Sequence, residues 1–324
     1  MIQPIRITTL ALALVALAGA SLANPDQWRS EFPKTDFTRS TIDLGEIISG
    51  GPPRDGIPAL WDPDFVPVAD EARLEAREPV MVLELDGQTP RAYPIRYLMW
   101  HEIVNDEIGG MPVAVTYCPL CNSAMVFERT VAGQVLSFGV SGKLRHSDMI
   151  MYDRETESWW QQAVGEGVVG EHAGTLLEPI PAWMESWADF SDRNPRGLVL
   201  DQPDWPRRYG TNPYQNYDTS ARPFLYQGEN PPHGIDPLAR VVRVANRAWT
   251  FERLRREGRI AEAGVVLTWH EGQASALDAA RIADGREVGT VRVRDAGGAA
   301  VVHDIPFAFA FHAFFPDGDW MLGD

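Results

Sequence analysis

The chain has 324 residues, 44% of them apolar and including 11 Trp and 13 Phe, enough for one large domain or two ordinary ones with a substantial core. Its formal charge is −16 and no basic patch offsets it, which excludes nucleic acid and anionic lipid surfaces as partners. Acidity otherwise implies solubility and names no ligand. The chain holds two cysteines, Cys118 and Cys121, spaced as Cys118-Pro119-Leu120-Cys121.

The first 23 residues read as a secretory signal peptide. A single basic residue, Arg6, precedes an apolar run from Leu10 to Ala20, and Ser21 and Ala23 occupy the −3 and −1 positions of a cut before Asn24. The run is shorter than the roughly 20 residues that span a bilayer, and no later stretch is apolar enough to do so. The expectation is a periplasmic or extracellular protein without a membrane span, in an oxidising compartment. Loss of Arg6 would take the charge to −17.

Residues 24–60 carry scattered Pro and Gly and read as an extended lead-in. Pro79 to Leu85 is strand-like and closes on an Asp86-Gly87 turn; Ala92 to Trp100 reads as a short helix or a second strand. Gly109-Gly110 then breaks the chain before the β-branched run Pro112 to Tyr117, which ends at Cys118. Met125–Arg129, Val135–Val140 and Met149–Tyr152 read as further strands, with Gly133 and Gly142 at turns. Pro181 to Trp187, with Trp183 and Trp187 four apart, predicts a short helix with one packed face. Eight prolines lie between Pro195 and Pro237, interspersed with Trp205, Tyr209, Tyr214, Tyr217 and Tyr226. So many aromatics argue for a long ordered loop rather than a free tether.

Beyond Arg240 the strand pattern resumes and two segments repeat. Arg91-Ala92-Tyr93 parallels Arg247-Ala248-Trp249, and Val115 to Ala124 parallels Leu267 to Ala276. A four-residue deletion in the second copy reconciles the two offsets. The expected fold is therefore β-rich α+β, in two related sheet-containing halves: a first repeat over 61–178, a connecting segment over 179–239 and a degenerate second repeat over 240–324. The second copy has His270 and Gln273 where the first has Cys118 and Cys121, so thiol chemistry is confined to one copy.

Three roles compete for the cysteines. Two thiolates in C-x-x-C can reach one soft ion, and a hairpin through Gly109-Gly110 brings His101 beside them as a third ligand. Two thiolates with an imidazole favour copper before zinc; Met151 or Met125 could add a soft donor, although both read as core. Alternatively the pair exchanges disulfides, with Cys118 attacking, Cys121 resolving and His101 as acid–base group, although no thioredoxin-like βαβ order surrounds it. Third, the pair forms a structural disulfide in an interaction module. The corresponding partners are a metal donor or acceptor protein, or a thiol redox protein.

Other motif-like strings fail. His101-Glu102-Ile103-Val104-Asn105 begins like H-E-x-x-H but ends in Asn105. No P-loop and no G-x-G-x-x-G is present, so no nucleotide cofactor is expected. His146, Asp148, Asp153 and Arg154 read as a solvated polar rim, and Trp159-Trp160 as core.

The segments Trp100-His101-Glu102-Ile103-Val104-Asn105-Asp106 and Gly110 to Ser123, the latter carrying the Cys118–Cys121 pair, resemble the signature of the bacterial and archaeal domain of unknown function 3179 family. The likeness continues through Phe138 to Leu144, Ser147-Asp148, Met151 to Ser158, Tyr209 to Tyr214 and Ala308 to Phe311. It implies that the His101 segment and both cysteines belong to one motif block, which favours a site over a plain disulfide. His146 stands where the family often carries Asn. The resemblance supplies no substrate.

Overall fold

The structure is a computed structural model that describes residues 25–323. The proposed signal peptide lies outside those residues. Strand outweighs helix, 36% against 16%. Each α-helix among the described residues is seven residues long, about two turns, and none is long and apolar enough to cross a membrane.

The β-rich α+β expectation holds, but the sheets are not clearly divided between two halves. Five sheets form a propeller-like ring. Blades that stack face to face bury both sides of their strands. Accordingly Pro79–Leu83, Ala182–Ser186 and Asp148–Asp153 are buried at every position rather than at alternate ones.

One blade contains the cysteines. Its strands run, in spatial order, Pro179–Ile180, Ser123–Glu128, Met111–Cys118, Ile103–Ile108 and Leu60–Trp61. The neighbouring blade that supplies Asp148 runs Ile47–Ser49, Phe138–Arg145, Asp148–Asp153, Trp159–Gln161 and Glu166–Val169. A third is built on Pro79–Leu83 and Arg91–Pro94, joined by Ala182–Ser186, Leu198–Leu200 and Phe65–Pro67.

An order of elements recurs around the ring. The hairpin Pro79–Leu83/Arg91–Pro94 leads into helix Ile95–His101 and then the hairpin Ile103–Ile108/Met111–Cys118. Likewise Val241–Val244/Arg247–Thr250 leads into helix Phe251–Glu257 and then Arg259–Glu262/Val265–His270. Each helix ends at a residue of positive φ, Glu102 (58°) and Gly258 (69°), whose N–H donates 2.7 Å to Leu98 O and Leu254 O respectively. Their carbonyls accept from Tyr117 N and Trp269 N, each at 2.8 Å. Each strand of the second hairpin is two residues shorter than its counterpart, four against six and six against eight, which together accommodate the four-residue offset between the matched segments.

Several local expectations change. Ala92 to Trp100 is both alternatives in turn, strand Arg91–Pro94 and then helix Ile95–His101. Pro181 to Trp187 is not a helix: Ala182–Ser186 pairs with Pro79–Leu83, and the helix starts at Trp187, capped by the Ser186 hydroxyl. Strand pairing within a buried blade overrides the i,i+4 tryptophan spacing. Within the expected connecting segment, Pro179–Ile180 thus joins the cysteine blade and residues 182–200 the third blade, and the strand-free connection is 201–239. The lead-in is packed rather than merely extended: Ile47–Ser49 pairs with Phe138–Arg145, and Trp28, Phe32 and Phe37 surround Trp159. Gly142 sits at a bulge inside a strand, where a Cβ would collide with the Pro52 carbonyl.

Candidate metal centre

Strand Met111–Cys118 delivers Cys118 at its last position, and Cys118 pairs with Ser123 to close a hairpin over residues 119–122. Asn122 takes φ 53°, a conformation Asn tolerates better than most residues. Its side chain accepts from Tyr117 Oη at 3.2 Å and donates to Ile305 O at 2.7 Å. Phe307 N donates to Cys121 O, and Asp304 accepts from Ser123 Oγ and Ala124 N. The cysteine turn is thus fixed by the Asp304–Phe307 segment.

Both cysteines are free thiols and both are buried, Cys118 at 1% and Cys121 at 0% exposure. The Cys121 thiol donates to Asp148 Oδ1 at 2.8 Å. Asp148, the first residue of its strand, is fully buried, and its other oxygen accepts from Gln161 Nε2 at 2.6 Å and Ala163 N at 3.0 Å. Among the described residues, the donor atoms of Cys118, Cys121 and Asp148 form the one group of three or more His, Cys, Asp or Glu side chains lying within 4.8 Å of one another.

Burial dominates the electrostatics. It pushes both thiols up, Cys121 far more, and the Asp148 carboxyl up to about 6 against the pull of its three hydrogen bonds. Glu102, also buried, is raised to about 8, first by desolvation and then by the charge of Asp148. A divalent cation would reverse this balance, since it favours every deprotonated donor around it.

His101 does not join this group. One ring nitrogen, Nδ1, meets Pro58 O at 2.7 Å, and Nε2 meets Tyr209 Oη at 2.6 Å. With a carbonyl on Nδ1, that nitrogen carries the proton and Nε2 accepts from the tyrosine. Burial lowers its pKa to about 4, so it is neutral and already satisfied. The third donor facing the thiols is a carboxylate, not the imidazole expected from sequence. Met151 and Met125 lie in the main apolar core, with Met125 Sδ facing Arg243 Nη2 at 3.5 Å.

The polar cluster at 146–154 is not a solvated rim. Asp148 and Asp153 are both fully buried, and Asp153 accepts from Trp160 Nε1, Thr156 N and Thr156 Oγ1. Only His146 and Arg154 reach outward, Arg154 pairing with Asp55. Trp159 and Trp160 are core, as expected. Sequence reasoning passed over two acids: Asp148, which lies in the quoted Ser147-Asp148 pair, and Glu102, beside the histidine that drew attention.

The aromatic-rich connection packs against the cysteine turn. Tyr217 Oη donates to Leu120 O between the cysteines at 2.7 Å, Ser147 Oγ bonds Phe224 O, and Tyr214 is partly buried against the main core. At the corresponding turn of the second hairpin, His270 is exposed and meets Asp189, and the buried Gln273 accepts from Thr290 Oγ1. No metal-binding group forms there among the described residues.

No curated protein and no solved structure gives a significant match to the chain. The family profile described as protein of unknown function (DUF3179) matches residues 54–318, a span that includes the cysteines, Glu102 and Asp148. The chain belongs to that family.

Proposed function

We propose that this is an exported metal-binding protein whose centre is held by Cys118, Cys121 and Asp148. The observation that carries the reading is the convergence of two thiols and one carboxylate oxygen within 4.8 Å in a buried site. Asp148 Oδ1 has a thiol proton as its contact, and displacing that proton frees both sulfur and oxygen for an ion. Gln161 and Ala163 hold the other oxygen and so orient the ligand from behind. With a carboxylate in place of the imidazole, the donor set suits zinc, a borderline ion, better than copper(I), which prefers sulfur and imidazole.

A metal ion can reach sulfur atoms that a partner protein's disulfide cannot, because in-line attack needs an exposed thiol. That burial weighs against thiol–disulfide exchange, although Asp148 beside Cys121 would suit a proton acceptor in such a step. The recurrence of strand–helix–hairpin order supports reading the centre as a single-copy site in a duplicated scaffold. A metal donor or acceptor protein is the fitting partner. Elemental analysis of untagged protein purified under reducing conditions tests the reading. About one zinc per chain, lost in Cys118→Ser, supports it. A metal-free chain with a readily reduced Cys118–Cys121 disulfide supports exchange instead.

A further inference from the structure

A second place in the molecule has the shape and charge of a ligand site. An open cleft of about 710 Å³ lies between residues 233–240, the helix Phe251–Glu257 and residues 286–288. That volume is within the roughly 300–1,000 Å³ of small-molecule sites. Five arginines and three acids line it, in a chain whose formal charge is −16. Two of the acids are spent nearby: Asp236 accepts from Leu238 N at 2.8 Å, and Glu287 accepts from Gly272 N and Gln273 N while pairing with Arg77. Arg253 is matched by Glu257 and Glu262, and Arg256 by Glu257. The remaining three arginines are matched less completely.

Arg240 is the fixed member. It is 9% exposed, stacks 5.3 Å from the Phe307 ring centroid, and its Nη2 meets Ser275 Oγ at 2.8 Å and Asp218 Oδ2 at 2.9 Å. Arg286 Nη2 reaches the same Asp218 oxygen at 3.2 Å. One buried carboxylate therefore serves two guanidinium groups. Both arginines line the cleft and Asp218 does not, which leaves positive charge unbalanced on the cleft side. Arg255, exposed on the helix, has no ion-pair partner among the described residues. Leu238, Phe251 and Val288 give the same cleft an apolar wall. A guanidinium pairs with a carboxylate or a phosphate through two parallel hydrogen bonds, and one already held in place loses little freedom on binding. We propose that this cleft binds a small organic anion, its carboxylate or phosphate group on Arg240, Arg286 and Arg255 and its apolar body against Phe251. None of the proposed metal ligands lines the cleft, so this site stands or falls independently of the metal reading.

Calorimetric titration of untagged protein with phenylphosphonate and with phenylsuccinate tests the proposal and separates the two head groups. At least one should bind saturably at one per chain, more weakly as salt is added, and benzyl alcohol should not bind. Arg286→Ala and Arg255→Ala should each weaken binding about tenfold or more, as expected for lost hydrogen bonds between charged groups. Arg255 is exposed and unpaired, so its variant keeps the fold even if Arg286→Ala, which also loses the Asp218 contact, does not. Arg281→Ala, on the surface outside the cleft, should bind as wild type does. Absence of saturable binding by both probes would overturn the proposal. So would unchanged affinity in Arg255→Ala, or an equal loss in Arg281→Ala, which would reduce the effect to net charge.

Discussion

Cys121 and Asp148 sit 27 residues apart on different blades, and the thiol of one donates to the carboxylate of the other at 2.8 Å in a fully buried site. That contact joins the cysteine hairpin to the neighbouring sheet. It also defines the donor pair that an ion would take over by displacing one proton.

The other Asp148 oxygen makes the positioning of this pair testable. Gln161 Nε2 donates to it at 2.6 Å. Gln161→Ala should weaken zinc binding about ten- to a hundredfold while leaving saturating stoichiometry at one, because the ligand loses its orientation but remains. Competition with a chromophoric chelator reads the affinity. No change would mean that the Ala163 N–H alone fixes the carboxylate.

Glu102 imposes a stability cost that its removal should reveal. Glu102→Gly relieves the positive-φ backbone, and is expected to stabilise the metal-free protein by about 1 kcal/mol. A higher urea midpoint at unchanged slope is the expected result. A lower midpoint would show that packing of the side chain outweighs its strain.

His101 predicts a pH dependence of definite sign. Its folded pKa of about 4 lies below the ordinary 6.5, so the unfolded chain takes up the proton first. The stability it contributes is complete above pH 6.5 and is lost as pH falls towards 4, by about 3 kcal/mol in all. Asp148 and Glu102, raised by burial, act with the opposite sign, losing stability as pH rises. The measurement is therefore the difference between wild type and His101→Gln across pH 4 to 7. Parallel profiles would contradict the neutral, buried assignment.

The strands flanking the cysteines were legible in sequence because β-branched runs bounded by Gly109-Gly110 and the Cys118–Cys121 turn give strong local signals. The recurring segments were legible too, since Tyr117 and Trp269 accept the same structural task beside Glu102 and Gly258. The five-sheet ring was not, because strands buried on both faces lose the alternation that marks a single-sided sheet. Asp148 was misread as solvated for a related reason. Its polar neighbours His146 and Arg154 do face outward, and only tertiary pairing turns Asp148 inward beside Gln161. His101 was over-read, because Pro58 and Tyr209, its two partners, are distant in sequence and carry no local signature.

Asp148, and not His101, is the proposed third ligand. Zinc content per chain, measured by elemental analysis on untagged wild type, Asp148→Asn and His101→Gln after equilibration with the same limiting zinc, tests it directly. About one zinc is expected in wild type and in His101→Gln, and a loss of affinity of at least about a hundredfold in Asp148→Asn, more than removal of an orienting residue would cause. Retention of zinc by Asp148→Asn together with its loss from His101→Gln would contradict it.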